Sequence, residues 1–208
     1  MPPQQRNAMM ETPMLLTRRT MLAGTAMLAA YPALSPQIAR AEVVITAEEF
    51  VKLAAAWMHD NETDIDIMIA KKGGWELWTR DTLYAYFKKK DVAVALEVSE
   101  VYEPQKQDGK DKPKKLIADF VINTKQSDKS KLVIVEMKNQ SAFNATNFSD
   151  SRNSFKTDAY ALDHSLAADY KKSKRVVLGF YFDDTNIPTG FYKITSKNKK
   201  HGMCYIIM

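Results

Sequence analysis

Polar and apolar positions divide the chain into stretches of two different periods. From Thr46, TAEEFVKLAAAWMH opens with a threonine answered by Glu49, then places Phe50, Leu53, Ala54 and Trp57 at helical spacing. A hydroxyl cap with a carboxylate three residues on is a capping box, so the spacing predicts an amphipathic helix. The acidic run DNETDID that follows reads as a turn. Gly73-Gly74 breaks the chain, and WELWTRDTLYAYFKKK predicts a second helix with Trp75, Trp78, Leu83, Tyr86 and Phe87 on its apolar side. Its terminal lysines suit the negative end of the helix dipole.

Beyond Lys90 the period shortens to two. VAVALEVSEVYE, LIADFVIN and KLVIVEMK are rich in β-branched residues, are separated by the polar stretches QKQDGKDKPKK and TKQSDKS, and predict three strands. After an Asn/Ser-rich segment, DAYALDHSLAADYKK predicts a helix and RVVLGFYFDD a buried strand, while FYKITSK and MCYIIM predict a closing hairpin. Helix, helix, three strands, helix and strand in that order specify an α/β (α+β) fold, a mixed central sheet flanked by helices.

Composition changes the picture mainly at the N-terminus. Arg18-Arg19 precedes a moderately apolar run, Met21 to Ala33, and Ala39-Arg40-Ala41 has the small-x-small form of a signal-peptidase site. These features resemble a bacterial twin-arginine export signal over residues 1–41, followed by one domain over 42–208. The expected localisation is periplasmic or secreted, without stable membrane association once the signal is removed. Residues 1–41 hold four arginines and one glutamate, so without them the net charge falls from +5 to +2. Total charge is therefore a weak argument for nucleic-acid binding. A single cysteine, Cys204, excludes an intramolecular disulfide and a thiolate metal site.

Charged residues interrupt two of the apolar strands. Asp119 lies inside LIADFVI, and Glu136 and Lys138 close LVIVEMK. Side chains two apart on a strand share a face, so a carboxylate and an ammonium emerge side by side. A hairpin through TKQSDKS would bring Asp119 close to Glu136. Two carboxylates brought together repel, and one is driven neutral unless a cation lies between them. Hard oxygen donors of this kind suit Mg²⁺ or Mn²⁺. The alternative is an ion pair at a strand edge, worth less than about 1 kcal/mol.

Asp119 followed by Glu136-Met137-Lys138 on neighbouring strands, between one helix and another, resembles the PD-(D/E)xK nuclease superfamily over roughly residues 75–183. The resemblance implies a restriction-endonuclease-like αβββαβ core and metal-dependent hydrolysis of phosphodiester bonds in nucleic acid, DNA ahead of RNA. It assigns Asp119, Glu136 and the Met137 carbonyl to the metal, and Lys138 to the attacking water or the transition state. Glu76 is the match for a further metal ligand from the preceding helix, with Glu97 or Glu100 as alternatives. Ala118 stands where the family pattern has proline, and the loop between the first two strands is longer than a minimal core needs.

Gln140, Arg152, Lys156 and Tyr160 follow the Glu-x-Lys pair and are candidates for substrate contact. Lys106, Lys110, Lys112, Lys114 and Lys115 form a basic loop that suits either a phosphate backbone or plain solvation. His59, His164 and His201 are dispersed and read as ordinary surface or helix residues. The rival readings are a non-catalytic protein of the same fold that binds nucleic acid or a protein partner, and an immunity-type or structural periplasmic protein. Oligomeric state has no sequence signal.

Overall fold

A computed structural model describes residues 42–71, 75–104, 116–140 and 155–208, and the expected export segment lies outside them. Helix α1, Ala47–Asp60, starts as its capping box predicts: the Thr46 hydroxyl accepts from the Glu49 N–H, and the Glu49 carboxylate accepts from the Thr46 N–H at 2.7 Å. Phe50, Ala54, Trp57 and Met58 form its buried stripe. The expected turn behind it is instead a short helix, α2, Glu62–Ile69. Its reason is tertiary, because Ile65 is fully buried while Glu62 and Asp66, one turn apart, both reach a distant hairpin turn. Helix α3, Trp75–Lys89, buries Trp75, Thr79, Leu83 and Phe87 at every fourth position.

The strands are β1 Val94–Val98, β2 Ala118–Ile122, β3 Val133–Asn139, β4 Lys174–Tyr181, β5 Tyr192–Thr195 and β6 Gly202–Ile207. They form one mixed sheet in the order β1-β2-β3-β4-β6-β5, in which only β3 and β4 are parallel. A parallel pair needs a crossover, and α4, Phe155–His164, supplies it. The helix expected over residues 158–172 thus ends earlier. Leu166 leaves it to bridge Tyr102, and a short 3-10 turn, Ala168–Tyr170, follows. The first strand is also shorter than expected, ending at Val98 just after Glu97, whose φ is +53°. The expected closing hairpin is β5 and β6.

Period two along β3 divides the core between the two faces of the sheet. Val133, Val135 and Met137 pack with α1 and α3, where Phe50 stacks on Phe87 at 5.1 Å and Trp57 meets Phe180 at 5.4 Å. Ile134 packs with Val121, Leu162 and Leu166 on the α4 side. Glu136 and Lys138 continue that second face by parity. No helix among the described residues is long and apolar enough to cross a membrane.

Two polar clusters fasten the margins. His201, read from sequence as ordinary, is buried and its Nδ1 lies 3.1 Å from Asp66, whose other oxygen takes Lys200 at 3.3 Å. Glu62 accepts from the Lys197 and Asn198 N–H groups, so α2 holds the β5–β6 turn. At the opposite side, Asn123 adopts φ +64°, a left-handed conformation asparagine tolerates better than most residues. Its side chain accepts from the Ile45 N–H and donates to the Ile45 and Lys131 carbonyls, joining the lead-in segment to the start of β3.

Losing three hydrogen bonds worth about 1 kcal/mol each, Asn123→Ala is expected to destabilise the protein by roughly 3 kcal/mol. Asn123→Gly should fall between the two, because glycine removes the left-handed strain but not the bonding deficit. Urea unfolding checks both, and wild-type midpoints would sink the account.

Candidate functional site

The β2–β3 ladder ends at Phe120 opposite Val135, but β3 runs on to Asn139. Met137 and Asn139, two residues apart, turn their N–H groups to the edge that β2 has left. Carboxylates take the place of the missing strand. Asp119 Oδ2 accepts from the Met137 N–H at 2.7 Å, and Glu76 Oε2 accepts from the Asn139 N–H at 3.0 Å. In the β1–β2 ladder the rung between Glu97 and Asp119 is also missing. Asp119 therefore stands where regular pairing fails on both of its flanks. Since the N–H and C=O of one strand residue share an edge, the Met137 carbonyl faces this side as well.

Each acidic group is delivered by a different element. Glu76 sits in the first turn of α3, where a carboxylate suits the helix dipole. That turn is anchored on the end of β3. The Trp75 indole N–H donates to the Gln140 carbonyl at 2.7 Å, and the Asn139 side-chain amide donates to the Thr79 hydroxyl at 2.7 Å and the Trp75 carbonyl at 3.3 Å. Glu136 accepts from the Tyr102 hydroxyl at 2.5 Å. Lys138, on the same face, places its Nζ 3.7 Å from Asp158 Oδ2 in the first turn of α4.

Crowding and burial govern the charges. Burial pushes the Asp119 carboxyl up to about 6, with Glu76 adding to the rise while the Met137 N–H, Glu136 and Lys138 oppose it. Burial raises Glu136 further, to about 9, reinforced by the charges of Asp119 and Asp158 and opposed by the Tyr102 hydroxyl. Near neutral pH the pair thus retains a proton that one isolated carboxyl would have lost. Asp158 is raised by burial, with Lys138 opposing. Burial works against the Lys138 ammonium, but Asp158, Glu76, Asp119 and Glu136 together outweigh it and hold its pKa above the usual lysine value.

The structure gathers Asp119, Glu136, Lys138, Glu76 and the Met137 backbone, all named from sequence. Met137's side chain is core. Glu97 instead pairs with Arg80 at 2.5 Å, and Glu100 lies in the turn beyond β1. Gln140 is buried, and its Oε1 accepts from the N–H groups of Phe182 and Asp183, so it braces the exit of β4. Lys156 and Tyr160 are exposed on α4, about 200° around the helix from Asp158, and Tyr160 stacks on His164 at 4.0 Å. They are not brought to the carboxylates. Arg152 and the lysine loop lie outside the described residues.

Sequence reasoning missed Tyr102 and Asp158. Asp158 carried a usable signal, an acid in the first turn of the helix that follows Glu-x-Lys, whereas nothing local marks Tyr102. Among the described residues, no three or more of His, Cys, Asp and Glu are grouped so that they could hold a metal ion. Compared with protein-family models, curated proteins and solved structures, the chain matches none.

A carboxyl whose pKa is raised in the folded state lowers stability as pH climbs from its unfolded toward its folded value, because the folded protein there holds more protons. For Glu136 that window runs from the ordinary glutamate value of 4.5 to about 9. In metal-free buffer, Glu136→Gln is expected to melt close to wild type at pH 4 and ~3 °C or more above it at pH 9. Thermal unfolding across pH checks this, and a difference that does not change with pH would exclude charge as its source.

Proposed function

We propose that this chain is a metal-dependent nuclease with a PD-(D/E)xK-like core, hydrolysing phosphodiester bonds in nucleic acid. The reading is carried by one observation: Asp119 and Glu136 meet where β2 and β3 part, with Lys138 on the same face and the Met137 carbonyl on the same edge. The order α3, β1, β2, β3, α4, β4, with β3 parallel to β4, supports the αβββαβ assignment.

The donor set fits a hard divalent cation. Its atoms are carboxylate and carbonyl oxygens, and the Asp119–Glu136 pair is crowded enough to retain a proton when no cation compensates it. Asp119, Glu136 and the Met137 carbonyl would hold Mg²⁺ or Mn²⁺, with Glu76 beside them on the same edge. When bound, such an ion neutralises phosphate oxygens and acidifies a water molecule.

The chain's own residues do the rest. Lys138, held as an ammonium, brings a positive charge to the face shared with Glu136, where it offsets charge developing on a phosphate and orients the attacking water by donating to it. Asp119 and Glu76, each tied to a β3 N–H, fix the edge against which substrate lies. Export through the N-terminal twin-arginine segment is part of the same proposal.

Purified protein is expected to cut plasmid DNA or structured RNA with Mg²⁺ or Mn²⁺ and to stop in EDTA. Glu136→Gln and Lys138→Met should each lose about 100-fold or more in rate. Absence of cleavage of either substrate with either metal, by protein shown to be folded, would sink the catalytic reading and leave a binding protein.

A further inference from the structure

Both members of the Glu-x-Lys pair are held by groups outside the sheet, and those groups belong to one stitched piece of structure. The segment after β1 is laced to the segment after α4. The Glu103 N–H donates to the Ser165 carbonyl at 2.8 Å, the Ala167 N–H donates to the Val101 carbonyl at 2.9 Å, and Tyr102 bridges Leu166 between them. Val101, Tyr102, Leu162 and Leu166 are buried together, so the lacing is also packed. From this unit Tyr102 reaches Glu136, and α4, which leads directly into it, carries Asp158 to Lys138.

We infer that Tyr102 and Asp158 are positioning residues that grip Glu136 and Lys138 from one rigid wall. A strand sets which face a side chain leaves by, but not its rotamer, and a glutamate or lysine on a strand keeps several rotatable bonds. Tyr102 is only 5 % exposed, with two torsions and a fixed ring, so its hydroxyl is a stationary donor that selects one orientation of the Glu136 carboxyl. Asp158 sits near the start of a helix whose opposite end is locked by the bridge at Leu166, so its carboxylate marks a fixed point for the Lys138 ammonium. The two contacts pull on side chains that leave the sheet side by side, so together they set the separation of acid and ammonium. The catalytic meaning of the grip rests on the nuclease reading above. Its existence does not.

Tyr102→Phe tests it with packing preserved, and Asp158→Asn with Asp158→Glu tests the second contact. In wild type, side-chain carboxyl NMR at fixed pH should give Glu136 one sharp resonance. In Tyr102→Phe it should broaden or split, in a protein that stays folded with a melting temperature lowered by only about 2–4 °C. Mn²⁺ affinity by calorimetry, and kcat for cleavage, should each fall about 10- to 100-fold, with KM for nucleic acid little altered. Asp158→Asn should lower kcat similarly, and Asp158→Glu should restore part of it. A Glu136 resonance as sharp in Tyr102→Phe as in wild type would overturn the grip, whatever the cleavage result. A split resonance in a protein that neither binds Mn²⁺ nor cuts nucleic acid would uphold the grip and remove the nuclease reading.

Discussion

In an antiparallel ladder each inward N–H finds a carbonyl on the neighbouring strand, and that supply stops on β3 after Val135. The strand still continues to Asn139, held on its other side by β4. Two edge N–H groups in succession are left to be satisfied, and both are met by carboxylates, Asp119 for Met137 and Glu76 for Asn139. A buried backbone donor without a partner costs as much as a lost hydrogen bond or more, so this exchange of side-chain for backbone acceptors is what permits β3 to outrun β2. The arrangement of the site depends on it. Once carboxylates serve as backbone acceptors, they are drawn together at the place where the sheet opens.

That solution creates an electrostatic problem which the nearby structure only partly relieves. Asp119, Glu136, Glu76 and Asp158 influence one another, and Lys138 is the cation they share. Burial makes the problem worse, since removing a carboxylate from water favours its neutral form. The relief comes from directed contacts: a tyrosine hydroxyl on Glu136, backbone N–H groups on Asp119 and Glu76, and an aspartate beside the lysine. Retained protons complete the balance. A cluster built this way works against the stability of the fold around it.

The apolar machinery is indifferent to this conflict because it lies mostly elsewhere. Phe50, Trp57, Phe87 and Phe120 pack between the helices and the sheet on the face away from Glu136 and Lys138. Gln140 and Trp75 are the exceptions, joining the end of β3 to α3 and to the turn beyond β4. Through them the first turn of α3, and with it Glu76, is held by the same core that fixes β3.

Element type and order were readable from the chain because helical and strand periods are local. Thr46 with Glu49, the helical spacing of Trp75, Trp78, Leu83, Tyr86 and Phe87, and the alternation through Val133 to Lys138 need no distant partner to be recognised. Parity along one strand likewise determined that Glu136 and Lys138 share a face. Where local pattern was the only guide, it failed for physical reasons. The acidic segment at Glu62 is helical because it holds a turn more than 130 residues away, and the helix after Glu-x-Lys stops at His164 because Leu166 is needed beside Tyr102. Asp119 and Glu136 meet across a single antiparallel hairpin, so sequence could anticipate them. Tyr102 lies 34 residues from Glu136, and Glu76 lies 63 residues from Asn139. Contacts of that length are closed by packing of whole elements, which no local pattern encodes. Glu76 was therefore anticipated only through a family resemblance, and tertiary structure alone decided that Tyr102 and Asp158 complete the surroundings of the pair.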